Sequence, residues 1–399
     1  MNKPLPSTFA SLLSAALALP IVAIPVVVSA QTAAPASELL PPGAVVGLRS
    51  LWYREDNDRM KVTAPVLWFK TPIGEQWELA GSGTVDMVSG ASPILVANTT
   101  GKPVQIVTGA SITDRRKAGD ASLTRKYGAL NENTLGVSFA TSNEKDYDSN
   151  AYGLNATFDF NERNTTLALG VGKRHDRVMS VTDSKLNAAR DANEWLVGVT
   201  QLIDRRTLIQ SNLTVTRLTG YLNDPYKLTF SLYRDGQTPG SVFLRDLRPD
   251  SRAIFAWLTR GKRAFPELAA IVSAEYRYYR DDWGIRAHTI SGSWLQTMND
   301  HWQIEAGLRF YSQSQADFYR AEITQRPAPR FTSSDQRLAA YGAWEPSLKV
   351  IVKLTDQLSW DVGYARYLQR GSAKLNGGGS PDFEPLSARL INSGLVYKF

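Results

Sequence analysis

The chain has no cysteine. Disulfides, thiol nucleophiles and thiolate metal sites are therefore excluded, while export into an oxidising compartment meets no obstacle. Only three histidines occur, His175, His288 and His301, and none stands at metal-ligand spacing from another histidine or a carboxylate cluster. Beyond the first thirty residues no apolar run reaches the roughly 18 residues that a membrane helix needs, so membrane residence is expected only as a barrel of strands. A phosphate-cradling signature is missing as well, because Gly377-Gly378-Gly379 leads into Ser-Pro rather than Lys-Ser and a helix, and reads as a flexible loop. Neither sign of charge dominates. The 45 Lys+Arg against 38 Asp+Glu leave a scattered +7, which suits a solvated surface or anionic lipid and forms no stripe for nucleic acid.

Aromatic residues are abundant by contrast, with 10 Trp, 16 Tyr and 14 Phe. In a polar, Gly-rich chain they suit the interfacial girdles of an outer-membrane barrel. The first thirty residues read as a secretory signal, with Lys3, an apolar stretch over 9–28 broken by Pro20 and Pro25, and then Val28-Ser29-Ala30. Cleavage is expected after Ala30, leaving a mature chain that starts near Gln31.

The organising pattern is alternation with period two in segments of about ten residues separated by turn signals. Between 302 and 311, Trp302, Ile304, Ala306, Leu308 and Phe310 share one face; Gln303, Glu305, Gly307, Arg309 and Tyr311 share the other. One side suits lipid and the other a wet lumen. The same reading fits 152–160 and 167–172, joined by a tight turn at 161–164. It extends to 60–69, 76–87, 133–141, 195–202, 207–218, 252–260, 269–279, 285–295, 348–354, 358–368 and 388–399.

The expected fold is therefore all-β: a single closed antiparallel transmembrane barrel of about 14 strands (roughly 12 to 16), since closure leaves no unpaired edge in lipid. The expected organisation is a signal peptide over 1–30, an N-terminal periplasmic segment over 31–54, and a barrel over 55–399 with a long insert at 89–130. Long loops are expected at 175–191, 220–251, 314–336 and 370–386, and short turns at 204–206, 299–301 and 356–357. The insert, if both termini are periplasmic, would hang in the periplasm or fold into the lumen. It contains a weak echo, DMVSGASP followed by IVTGASITDRR, which supports no repeat architecture. The chain ends on Tyr397-Lys398-Phe399, and an aromatic carboxy terminus of this kind is what the barrel-assembly machinery reads.

Four stretches, RFYSQSQADFY (309–319), SSDQRLAAYGAW (333–344), DFNERNTTLALGVG (159–172) and DMVSGASP (86–93), resemble a family of predicted outer-membrane proteins of Gram-negative bacteria known only as a domain of unknown function. The resemblance implies a barrel and export to the outer membrane. It also implies a small lipoprotein and a flavin-transfer or thioredoxin-like protein as partners, and it carries no active site.

Candidate chemistry is sparse. His288 and Ser291 superficially match the nucleophile and base of an outer-membrane phospholipase, but positions three apart on a strand face opposite ways. His175-Asp176 sits at a strand-to-loop junction and is expected to be solvated. Glu144-Lys145-Asp146-Tyr147-Asp148 offers two carboxylates but lacks the rest of a calcium loop, and reads as a hairpin tip. Alternation places Glu275, Arg277, Glu305, Arg309, Asp361 and Lys398 in the lumen, where they would tune selectivity for polar solutes or pair across strands to fill the interior. The expected function is a non-enzymatic barrel without cofactor or metal, acting as a porin-like channel for small polar solutes or as an anchor for periplasmic and surface partners in contact with lipid and lipopolysaccharide. The alternative is an outer-membrane hydrolase with dispersed catalytic residues.

Overall fold

The computed structural model describes residues 43–56, 59–90, 93–98, 103–107, 112–235, 238–323, 328–380 and 383–399. The expected signal peptide lies outside them. Sixteen strands close into one barrel. In chain order they are β1 (Val45–Glu55), β2 (Met60–Ile73), β3 (Trp77–Gly90), β4 (Ile112–Tyr127), β5 (Asn133–Asn143), β6 (Tyr147–Phe160), β7 (Thr165–Met179) and β8 (Asn187–Asp204). The second half comprises β9 (Thr207–Gly220), β10 (Ser251–Phe265), β11 (Ala270–Asp281), β12 (Arg286–Thr297), β13 (Trp302–Gln313), β14 (Tyr341–Lys353), β15 (Leu358–Arg370) and β16 (Leu386–Lys398). Each strand pairs antiparallel with its sequence neighbour, and β1 closes the ring on β16 with Val45 opposite Lys398 and Glu55 opposite Ala388.

The strand count is thus sixteen rather than about 14, because two strands carry a pattern that alternation cannot detect. In β1 apolar residues stand on both faces: Leu48 and Trp52 point outward, while Val45 and Tyr53 are buried inside. In β4 the outward face carries Arg115, Lys117 and Arg125, so no apolar stripe marks it. Residues 45–54 therefore belong to the barrel rather than to a segment ahead of it. The expected insert likewise contains a wall strand. What remains of it is a hairpin of Pro93–Asn98 and Pro103–Val107, on the connection from β3 to β4.

Outward positions form an apolar belt, with Leu67, Tyr152, Val197, Leu308 and Leu348 each at least half exposed. The start of β1, the end of β16 and the short turns lie at one end. The turn at 161–164 is built from Asn161, Glu162 and Arg163, all at positive φ. The longer connections all lie at the other end, so the 91–111 connection is no exception to the rest. Strands β7 and β8 run further than expected, shortening their connection to 180–186. The largest of these loops, 221–250, folds as a hairpin of Leu228–Asp235 and Thr238–Arg245, and Glu322–Ile323 from the 314–340 loop adds to it in parallel.

Candidate functional site

Directly opposed residues of antiparallel strands share a face, so register fixes what lines the lumen. Glu305 faces inward opposite Lys349, and their charged groups meet at 2.7 Å. Arg309 faces Glu345 at 3.6 Å, and Asp361 accepts from Arg49 at 3.2 Å. Glu275 and Arg277 lie inward on β11, opposite Arg260 and Leu258. Arg277 is nevertheless exposed, so the lumen around it is wet. Lys398 points inward at the short-turn end, opposite Val45. The six lumen candidates thus share the inner wall, but they converge on no single point; Glu305, Arg309 and Asp361 are members of cross-strand pairs.

The long-loop end is built differently. Above the inner wall, Leu222, Trp283, Phe318, Leu338, Tyr341 and Phe383 form one buried apolar cluster contributed by four connections and by β14. Trp283 meets Phe318 edge-on at 5.1 Å, and Tyr341 stacks on Phe383 at 5.0 Å. Gly342 lets the 371–385 loop pass this close, since a Cβ there would lie 1.9 Å from the Ala373 carbonyl oxygen.

Beside this cluster lies a buried ionic one. Asp335 caps the turn Gln336–Leu338, accepting from the Arg337 backbone N–H at 3.1 Å. Its carboxylate also accepts from Arg337 Nε and from Arg248 Nη2 at 2.9 Å. Arg248 turns its Nε to Asp246 at 2.6 Å, and Arg337 reaches on to Asp224. Asp335 and Arg248 are only 2% and 7% exposed, so neither charge could stay there without its partners. Burial alone would raise the Asp335 pKa, but the cations Arg337, Arg248 and Lys227 outweigh it and hold the carboxyl well below the usual range. Asp246 is shifted the other way, pushed up by burial against the pull of Arg248.

The same loops reach both sides of the rim. Tyr226 donates its hydroxyl to Asp146 in the β5–β6 connection, and burial together with that bond pushes the phenol up to about 12. From Asp335 the chain of contacts continues through the Ala340 N–H to Ser380 at 3.0 Å and the Glu384 N–H to Gln336 at 3.1 Å. Glu384 then meets Arg59, in the β1–β2 connection, at 3.7 Å. Three loops are thereby tied into one layer over a wet, charged lumen.

The family model described as "Protein of unknown function (DUF3570)" matches residues 9–194 and 181–389. The chain belongs to that family. No curated protein matches it. Among solved structures, a bacterial polysaccharide outer-membrane secretin is similar at 9% identity and a TM-score of 0.49, with 90% of this chain and 99% of that one covered. The CymD monoaromatic hydrocarbon channel is similar at 10% identity and 0.45, covering 90% and 89%. A loop-deletion form of OmpT, an outer-membrane protein of Vibrio cholerae, follows at 10% and 0.40, covering 89% and 98%. At such identities and scores these likenesses say nothing of what the barrel carries.

Two of the stretches that resemble this DUF3570 family meet at the mouth. RFYSQSQADFY supplies Ala316, Phe318 and Tyr319 to the apolar cluster, and SSDQRLAAYGAW supplies Asp335, Arg337 and Leu338. Their density of small, polar and aromatic residues in what reads as a loop was the available signal, since an exposed loop has no need of Ala316, buried completely, or Leu338.

The remaining candidates are dispersed. Ser291 faces the lumen opposite Glu275, whereas His288 faces outward and bonds the Tyr276 hydroxyl at 2.8 Å. His175 also faces outward, meeting Asp191 at 2.9 Å, while its neighbour Asp176 is wholly buried inside against Arg190 at 2.7 Å. Glu144 closes the β5–β6 hairpin by donating its N–H to the Tyr147 carbonyl at 2.8 Å.

Proposed function

We propose that this protein resides in the outer membrane as a non-enzymatic channel for small polar solutes, held closed at its outer mouth by the tied loops. The apolar belt supports membrane residence, because a soluble monomer rarely exposes an apolar patch beyond about 300–600 Å². Long loops facing outward and short turns facing the periplasm set its orientation. The buried ion-pair network over a wet lumen carries the reading. It supplies a discrete lock, and the paired charges below it line a polar path open to the periplasmic side.

Conductance of the purified protein in a planar bilayer tests this. The intact barrel is expected to be nearly silent, and Asp335→Ala to give steady openings. Steady conductance from the intact protein would remove the closed mouth from the reading. Silence from both, with the variant's loops shown by proteolysis to be released, would favour an anchor on which a lipoprotein or periplasmic redox partner assembles.

A further inference from the structure

Below the mouth the inner wall carries a single tryptophan. Of the 10 tryptophans, Trp283 lies in the mouth, and the wall strands turn all the others outward except Trp68. Trp68 stands opposite Gly47 of β1, between the outward Leu67 and Phe69, and is partly exposed. A Cβ at position 47 would run into the indole, so glycine is what lets the ring lie flat on the wall.

Planar polar groups continue from the ring in the same manner. Two residues nearer the mouth, Arg49 and Asp361 flank Gly394, and their contact at 3.2 Å is laid across it; a Cβ there would lie 2.6 Å from the carboxylate. Two residues further on, the Asn392 amide covers Gly363, where a Cβ would lie 2.6 Å from its oxygen. On the other side of the ring, Ser82 stands opposite Trp68 and donates its hydroxyl to Asp120. The strip runs about 13 Å along the strands. It sets an aromatic face beside paired donors and acceptors. An apolar solute would leave those polar groups unpaired, and an ionic one would have to break the matched pair of Arg49 and Asp361. A sugar satisfies both parts, because its C–H face suits the negative face of an indole and each of its hydroxyls both donates and accepts.

We propose that this strip is a subsite for a neutral oligosaccharide, which stacks on Trp68 and takes hydrogen bonds from and to Arg49, Asp361 and Asn392. This inference rests on the channel reading above and narrows its polar solutes to sugars.

The test is calorimetric titration of the intact barrel in an amine-oxide detergent, so that no sugar headgroup competes. Maltotriose, cellotriose and mannotriose are the probes, with citrate as an ionic control and adenosine as an aromatic one. At least one trisaccharide should bind, and neither control should. W68L should weaken that binding about tenfold, the loss of one aromatic contact, while W68F should keep most of it. N392A should cost about fivefold, and W360L, on the outward face, should change nothing. Heat-modifiability checks the fold of each variant, and the contrast of W68L with W68F reads the ring rather than the filling of the wall. Absence of trisaccharide binding, equal binding of adenosine, or parental binding by both W68L and N392A would overturn the inference. The two readings fail separately. Barrels that conduct after Asp335→Ala but bind no sugar lose only this inference, whereas sugar binding by barrels that stay silent keeps the subsite and removes the path through it.

Discussion

The two ends of the barrel use the same pairs of charged residues in opposite ways. At the short-turn end Arg206 meets Glu267 and Lys353 meets Asp356 with side chains 49–95% exposed. Water and salt screen such pairs, and they decide little about stability. At the long-loop end Arg248 and Asp335 are removed from water, Arg337 is half-buried, and the three are joined through hydrogen bonds that also fix the backbone of a loop turn. There the pairs are not interchangeable with solvent, and breaking one strands the others. On the proposed channel reading, the contrast assigns the closed-to-open change to the mouth, where loops meet through a specific network, rather than to the short turns.

Removing the centre of that network breaks the contrast most severely. Asp335→Ala leaves the buried Arg248 and the half-buried Arg337 without their shared carboxylate and should destabilise the loop layer by about 3–5 kcal/mol. Limited proteolysis should show new cleavage within 221–250 and 314–340 while the barrel keeps its heat-modifiability. Leu338→Ala tests the apolar half of the same layer. That side chain is 4% exposed, and its truncation should cost about 2–4 kcal/mol and accelerate the same cleavages. Acid sharpens the assignment further. The Asp335 carboxyl is depressed, so its stabilising contribution is present above the ordinary value near 3.9 and is lost only as pH falls through its lower folded value. Asp246 is raised, so its contribution is full at low pH and fades as pH rises through its folded value. Protection of the loops should therefore hold from pH 7 to about 4, as a pH series of proteolysis would show.

The wall was legible in the sequence wherever one face met an apolar surroundings and the other a wet lumen, as in β13. It was illegible where that contrast fails. Tyr53 in β1 points inward yet is as buried as a core residue, because it packs among inward side chains of neighbouring strands such as Val62, Tyr367 and Leu390, and Arg115 in β4 points outward yet is basic. The mouth was harder still, because its partners lie 87 residues apart at Arg248 and Asp335 and no periodicity links them. Facing, however, followed from period two alone. It separated His288 from Ser291 and placed Glu305 and Arg309 inside, because a strand fixes orientation even where it fixes no contact.

Within the lumen the expected effect is smaller and of another kind. Glu305→Gln removes the partner of Lys349 in a pair only 11–15% exposed, leaving an inward cation beside the polar path. Once the mouth is opened by Asp335→Ala, the reversal potential in a salt gradient should shift toward anions relative to the Asp335→Ala barrel alone. No shift would mean that the conducting path bypasses β13.

The smallest effect belongs to the short turns and sets the baseline for the rest. Asp356 is 95% exposed and faces Lys353 at 2.7 Å, and the pair lowers its carboxyl pKa through the Lys353 hydrogen bond. Because either group is fully hydrated when unpaired, Asp356→Asn should leave loop protection and conductance unchanged, and added salt should not separate it from the parent protein. A variant at this turn that opened the mouth would show the two ends to be mechanically coupled through β14, which runs from the Tyr341–Phe383 stack to Lys353. The lock would then belong to the wall as much as to the loops.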